Sequence, residues 1–310
     1  MRSILALAVL LAVAPLVIVP LGGYHALLSE MVIFAVFAIG FNLLLGYTGI
    51  LSFGHAAYFG LAGYTMGLLL IHFDLPLWAA MLAGVVVAGA AAVIIGLLIV
   101  RKAGIYFAML TIAFGQMFFF VAMRWKSVTG GEDGLSDIPR KPFLGVDLSS
   151  PVRFYYFTAV VCLVAAVVAW RLIHSNFGDV LRAIRENEAR CAAIGYDVQR
   201  YKLASFVIAA LVAAVSGTLY VLLLRYAFPQ TMDWIRSGNV VVMSLVGGLG
   251  TFSGPIVGAT LITFLNNYIS FHTKYWQLVM GVVFVVFVMF FPRGIAGYAL
   301  EARWRRRIRR

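Results

Sequence analysis

Charge is the scarcest ingredient of this 310-residue chain: 12% of its residues are charged, against 63% hydrophobic. A soluble domain carries about 25% charged residues. Twelve acids and 24 bases therefore cannot give a globule of this size a polar surface. That shortage excludes a soluble enzyme, a disordered chain and a fibrous repeat. Cysteine is almost missing too. Cys162 falls in an apolar run and Cys191 in a charged loop, which does not indicate a disulfide framework. No Gly-Lys dipeptide occurs, so the chain has no Walker A phosphate loop. There is no serine nucleophile elbow, no paired-carboxylate proton relay, and the five histidines show no metal-ligand spacing. No bound cofactor or metal is expected.

What is present in quantity is apolar helix. The mean hydropathy is +0.98, and a bilayer core of ~30 Å takes ~20 apolar residues per crossing. The pattern predicts an all-α, polytopic membrane protein with about eight spans, near 3–21, 27–45, 50–71, 76–100, 103–123, 154–174, 203–224 and 276–292. The first run follows a lone Arg2 and carries Ala12-Val13-Ala14, which resembles a signal-peptide cleavage site. It continues apolar beyond that site, as an uncleaved span would. Segment 238–270 is apolar but interrupted by Gly247, Gly248, Gly250, Gly254 and Pro255. It reads as a re-entrant pair of half-helices or one broken span, each half too short to cross alone. Non-helical backbone at membrane depth survives only where protein or a water-filled cavity satisfies it.

Orientation follows from the basic residues. With the N-terminus inside, 16 of the 24 Lys and Arg fall inside, including the tail 293–310. Both termini are then cytoplasmic, and 238–270 must begin and end on one side, which favours re-entry. The net charge of +12 gathers at one membrane face, which argues against nucleic acid as a partner. One integral domain, 1–310, is expected.

Gly46-x-x-Gly49-x-x-Ser52 recurs as Gly247-x-x-Gly250-x-x-Ser253, each copy leading into an apolar helix. Transporters are often built from such repeats, although glycines also serve helix packing in lipid. Intramembrane polar groups are few. Glu30 stands near the outer interface, where its side chain can reach water. His55, well within a span, either bonds another helix or lines a path. Ser52, Gly54, His55, Gly247, Gly250 and Ser253 are the candidate path residues.

The inner loop 175–202 contains an amphipathic helix over 176–194, with Asn176 as N-cap. Phe177, Val180, Leu181 and Ile184 share one face, and Gly195 is the stop. Such a helix lies on anionic headgroups or docks into a soluble partner. Glu186, Glu188 and the small face of Ala189, Ala192 and Ala193 favour docking.

Glu188-Ala189-x-x-Ala192-Ala193-x-Gly195 resembles the Glu-Ala-Ala-x-x-x-Gly cytoplasmic loop of ABC importer permeases. The stretch Gly46 to Tyr64, GYTGILSFGHAAYFGLAGY, resembles LivM-type permeases of branched-chain amino acid ABC importers. So do Gly104 to Thr111, Ser127 to Leu135 and Val246 to Pro255. The resemblance runs from about 27 to 295. It implies an ABC importer permease fold in the bacterial inner membrane, and a transport subunit rather than an enzyme. The expected partners are a second homologous permease, two ATP-binding subunits that carry the ATP, and a periplasmic binding protein. The 176–195 helix would couple permease to ATPase. Branched-chain or other hydrophobic amino acids are the expected cargo. Urea, short amides, or ion-coupled transport without an ATPase remain as alternatives.

Overall fold

A computed structural model describes residues 2–18, 23–290 and 294–297, and every element of regular structure among them is helical apart from two isolated bridges. In chain order these are α1 (Arg2–Ile18), α2 (His25–Asn42, prolonged by a π-helical turn Leu43–Thr48), α3 (His55–His72) and α4 (Leu77–Ile99). Then follow α5 (Gly104–Arg124), the short α6 (Lys126–Thr129), α7 (Pro151–Ile173), α8 (Asn176–Glu186) and α9 (Glu188–Ala193). The chain continues through α10 (Val198–Leu224), α11 (Trp234–Gly247), α12 (Gly254–His272) and α13 (Trp276–Phe290). Most of the tail 293–310 and the end of the first run, 19–21, lie outside the described residues.

Five stretches are both long and apolar enough to cross a bilayer: His25–Thr48, α4, α5, α7 and α10. The sequence pattern gave eight. Among the described residues α1 and α13 are 17 and 15 residues long, and α3 begins five residues later than expected because 49–54 is not helical.

The elements form a packed centre and a greasy rim. α2, α3 and α10 bury the large side chains Phe37, Phe41, Phe59 and Phe206. α4, α5, α7 and α13 turn bulky residues outward at helical spacing, as with Val160, Val164 and Val168 of α7, as a lipid-facing surface requires. Between helices in lipid the hydrophobic effect supplies no net attraction, so contact depends on close approach through small residues. Gly217 of α10 meets α3 so tightly that a Cβ would lie 1.9 Å from the Phe59 carbonyl oxygen. Gly63 of α3 likewise accepts the Val221 side chain, and Gly84 of α4 meets the Ala62 carbonyl.

α11 does not cross. At ~1.5 Å per residue its 14 residues span about 21 Å, and it starts amid its neighbours. Met232, just before it, fills the space where a Gly60 Cβ would be, and the Arg236 guanidinium lies 5.5 Å and 5.3 Å from the Phe34 and Tyr220 ring centres. α12 returns antiparallel alongside it: a Cβ on Gly258 would sit 1.9 Å from the Met243 carbonyl oxygen. With 19 residues, α12 is longer than the half-helix expected for it and runs the bundle's length, to where Tyr24 donates to Asn267 Oδ1 at 2.9 Å. Segment 238–270 is thus a half-helix and a full one joined by a break.

The end of the bundle opposite α8 and α9 is capped by the loop between α5 and α7. Leu135 exchanges hydrogen bonds of 2.8 Å and 2.9 Å with Ala227. Arg140 donates to the Leu222 and Leu223 carbonyls at 2.7 Å and 2.6 Å, answering the free acceptors at the end of α10. Burial and, to a lesser degree, the nearby Arg225 lower the pKa of Arg140. Lys141 Nζ pairs with Asp74 at 2.5 Å, tying the loop to the α3–α4 turn.

Gly217→Ala is expected to force α3 and α10 apart and cost about 1–3 kcal/mol. The check is the midpoint of thermal unfolding of the purified chain in detergent; an unchanged midpoint refutes the close crossing.

Candidate functional site

The two copies of the glycine repeat are both helix breaks, and they touch. The first runs from Gly49 to Gly54 between the π-helical turn and α3, the second over 248–253 between α11 and α12. Matching positions share a backbone state: Gly49 has φ +79° and Gly250 φ +73°, a region open to glycine. A Cβ on Gly46 would stand 2.6 Å from the Gly250 nitrogen. Asn42, 1% exposed, ties the end of α2 to the second break. Its Nδ2 donates to the Thr251 carbonyl at 2.9 Å, and its Oδ1 accepts from the Gly250 N–H at 3.0 Å.

The candidate residues divide on this frame. Ser52 and His55 are fully buried, with Oγ and Nδ1 2.8 Å apart, and Ser52 Oγ also accepts from the Gly54 N–H at 3.3 Å. The His55 ring stands edge-on to Phe41, Tyr58 and Phe206, with centroids 5.1–5.9 Å away. His55 is the first residue of α3, not well within a span as the sequence pattern placed it. Gly54 is required by space, since a Cβ there would sit 2.3 Å from the Thr111 carbonyl oxygen. Gly247 meets the Gly254 carbonyl in the same way. Ser253 is exposed and its side chain caps nothing, so the serines of the two repeats differ in use. Sequence reasoning missed Thr111 and Ser237. Thr111 Oγ1 accepts from the Phe53 N–H at 3.1 Å, and Ser237 Oγ accepts from the Ala56 N–H at 2.9 Å. Both satisfy donors freed by the first break. Single Ser and Thr residues in apolar helices carry no sequence signal of such a task.

Glu30 is tied back into the bundle, accepting from Asn267 Nδ2 at 3.2 Å.

Over the breaks lie α8 and α9, where one helix was expected over 176–194. Asn187 interrupts it: its backbone is extended (φ −159°, ψ 98°) and its side chain caps α9 by accepting from the Arg190 N–H at 2.9 Å. Ser175, not Asn176, is the N-cap of α8. Leu181 and Ile184 are buried as the spacing predicted. Leu181 packs with Leu43, Tyr47 and Ile173, so α8 rests on the π-helical turn. Arg185 reaches between the breaks and donates to the Gly46 carbonyl. Gly195 ends α9 with φ +97°, and the Gly195 and Tyr196 N–H groups donate to Ala192 and Cys191, both at 3.1 Å, closing a Schellman turn. Glu188 holds α9 to α10 through Lys202, 2.5 Å away. Glu186, Ala189, Ala192, Ala193 and Ile194 face outward, Ile194 69% exposed. A cavity of about 740 Å³ opens between α8, the first break and the start of α5, with Lys102, Arg185, Glu188 and Lys202 among its walls.

Crossing helices, a half-helix, paired breaks and an exposed helix pair over them are the architecture of a membrane transport subunit. The chain belongs to the family described as the branched-chain amino acid transport system permease component, whose model matches residues 23–288. It is 26% identical over 286 residues to the high-affinity branched-chain amino acid transport system permease protein LivM of Escherichia coli strain K12, covering 85% of this chain and 67% of that one. It is 27% identical over 149 residues to a probable branched-chain amino acid transport permease protein LivH of Methanocaldococcus jannaschii, covering 45% and 47% of the two chains. It is also 27% identical over 128 residues to the ribose import permease protein RbsC of E. coli K12, covering 39% and 40%. No solved structure matches the chain.

His55→Ala is expected to strip the Ser52 partner and hollow out the aromatic cage, at a cost of about 2–4 kcal/mol. It should be read as a lower thermal midpoint together with reduced membrane abundance. Normal abundance and midpoint with abolished transport would instead make His55 a path residue.

Proposed function

We infer that the chain is the permease subunit of an ATP-driven importer, carrying branched-chain or similar hydrophobic amino acids inward across the bacterial cytoplasmic membrane. The observation that carries this reading is the α8–α9 pair: it rests on the paired helix breaks on one side and exposes a small apolar face on the other. A second permease, two ATP-binding subunits and a periplasmic binding protein complete the machine, with ATP bound and hydrolysed on the partners. The excess of Lys and Arg on one side supports a cytoplasmic position for α8, α9 and both termini. Family membership supports the cargo, as does the scarcity of intramembrane charge, which suits a permease whose binding protein does the selecting.

In the mechanism, ATP closes the partner ATPases on the exposed face that holds Ala189, Ala192 and Ala193. The pair moves as a unit because Ile184 of α8 and Cys191 of α9 share one buried cluster, and Glu188 and Lys202 tie it to α10. That motion reaches both breaks, and the bundle opens toward the cytoplasm. Gly247, Gly250 and Ser253 at one break, and Ser52, Gly54 and His55 at the other, make up the moving floor of the path, with His55 bracing it through Ser52 rather than meeting the cargo.

Uptake of labelled leucine by proteoliposomes holding the full complex, binding protein and internal ATP tests the reading. Uptake driven by an ion gradient without the ATPases would overturn it. Proline cannot adopt the φ of +97° at Gly195, so Gly195→Pro is expected to leave ATP hydrolysis running and cut uptake at least tenfold. Equal loss of both activities would remove α9 from the coupling role.

A further inference from the structure

We propose that Arg185 and Asn42 form a latch that joins the two helix breaks and the α8 helix into one mechanical unit, so that displacement of α8 is delivered to both halves of the repeat at once. The inference deepens the importer reading and rests on it for its transport consequence, though not for its structural content.

The argument starts from the backbone groups that the breaks leave exposed. A helix that stops leaves N–H and C=O groups without intrahelical partners, and lipid cannot supply them. The partners here come from across the repeat. Asn42 ends α2, four residues ahead of the first copy, and both arms of its amide go to the second, to Gly250 and Thr251. Arg185 comes from outside both. Its guanidinium donates to the Gly46 carbonyl, and its Nη1 lies 3.2 Å from where a Gly250 Cβ would be. Its stem runs past Gly49, where a Cβ would meet Arg185 Cγ at 2.9 Å. Three glycines, Gly46, Gly49 and Gly250, thus lack side chains where these two residues pass.

The latch also explains why the breaks do not act separately. The amide of Asn42 fits both a donor and an acceptor of one loop, so separating the breaks costs two hydrogen bonds together. Arg185 holds the Gly46 carbonyl from α8, whose Leu181 is wedged between α7 and the π-helical turn. A pull on α8 therefore loads Gly46, and Gly46 is already seated against Gly250. Nothing in the sequence spacing brings residues 42, 185 and 250 together.

Two measurements test this. Amide hydrogen exchange on the purified chain reads the latch without any transport. Arg185→Gln and Asn42→Ala should each raise exchange at least tenfold in both breaks, 49–54 and 248–254. A rise confined to the break nearest the substitution, or no rise, overturns the proposal. In the reconstituted complex, the ATP hydrolysed per leucine taken up should rise at least tenfold for either variant, with ATP turnover within twofold of the parent. The double variant should be no worse than the worse single, because residues acting as one unit are not additive. Independent multiplication of the two effects overturns the latch. Where Asn42→Ala does not assemble, Asn42→Asp decides: it keeps the acceptor for Gly250 and loses the donor to Thr251, and unchanged exchange over 248–254 is the refuting result. A parent complex that shows no ATP-driven leucine uptake, yet whose variants show the exchange changes, would defeat the importer reading and leave the latch standing.

Discussion

Unpaired backbone in a medium without water is the constraint on which this architecture turns. Every N–H or C=O released by a helix break must find a partner in the protein or in a water-filled cavity, because lipid offers none. The structure answers with side chains from distant sequence positions. Thr111 and Ser237 serve the first break, Asn42 serves the second, and Arg185 reaches Gly46 from α8. Those bonds fix how α3, α5, α11 and α12 sit against one another, and so fix the half-helix α11 inside the bundle.

Glycine solves the companion problem of distance. The hydrogen bonds between breaks need their backbones close, and Gly46 against Gly250 admits no Cβ. The same economy of volume holds α3 to α10 at Gly217 and α11 to α12 at Gly258. Two demands, positive φ at Gly49 and Gly250 and vanishing bulk at Gly46 and Gly217, thus recruit one residue type for different reasons.

The α8–α9 pair brings the polar and apolar parts of the fold together. Its buried side follows helical spacing, with Leu181 and Ile184 inward. Its charges are divided between internal work and display: Glu188 and Arg185 bind the bundle, while Glu186 faces out with the alanines and Ile194. A surface of that kind, seated on two breaks, is suited to pass a push from a soluble partner into the membrane.

Length, hydropathy and spacing determined the helical membrane class, most helix positions, the buried face of α8 and the stop at Gly195, because each depends on local spacing or bulk composition. The repeat Gly46-x-x-Gly49-x-x-Ser52 was legible as a pattern, and its shared positive φ could be anticipated from glycine alone. The break at Asn187 was not legible, because an asparagine that caps the next helix looks like any polar residue on a helix face. Nor was the fate of His55 and Ser52, which pair with each other inside an aromatic cage, since burial is set by Phe41, Tyr58 and Phe206 from three separate helices. The contact of Gly46 with Gly250 and the arrival of Arg185 belong to the tertiary structure alone. Hydrogen bonds across some 140 to 210 residues depend on how helices pack, and no local spacing encodes that.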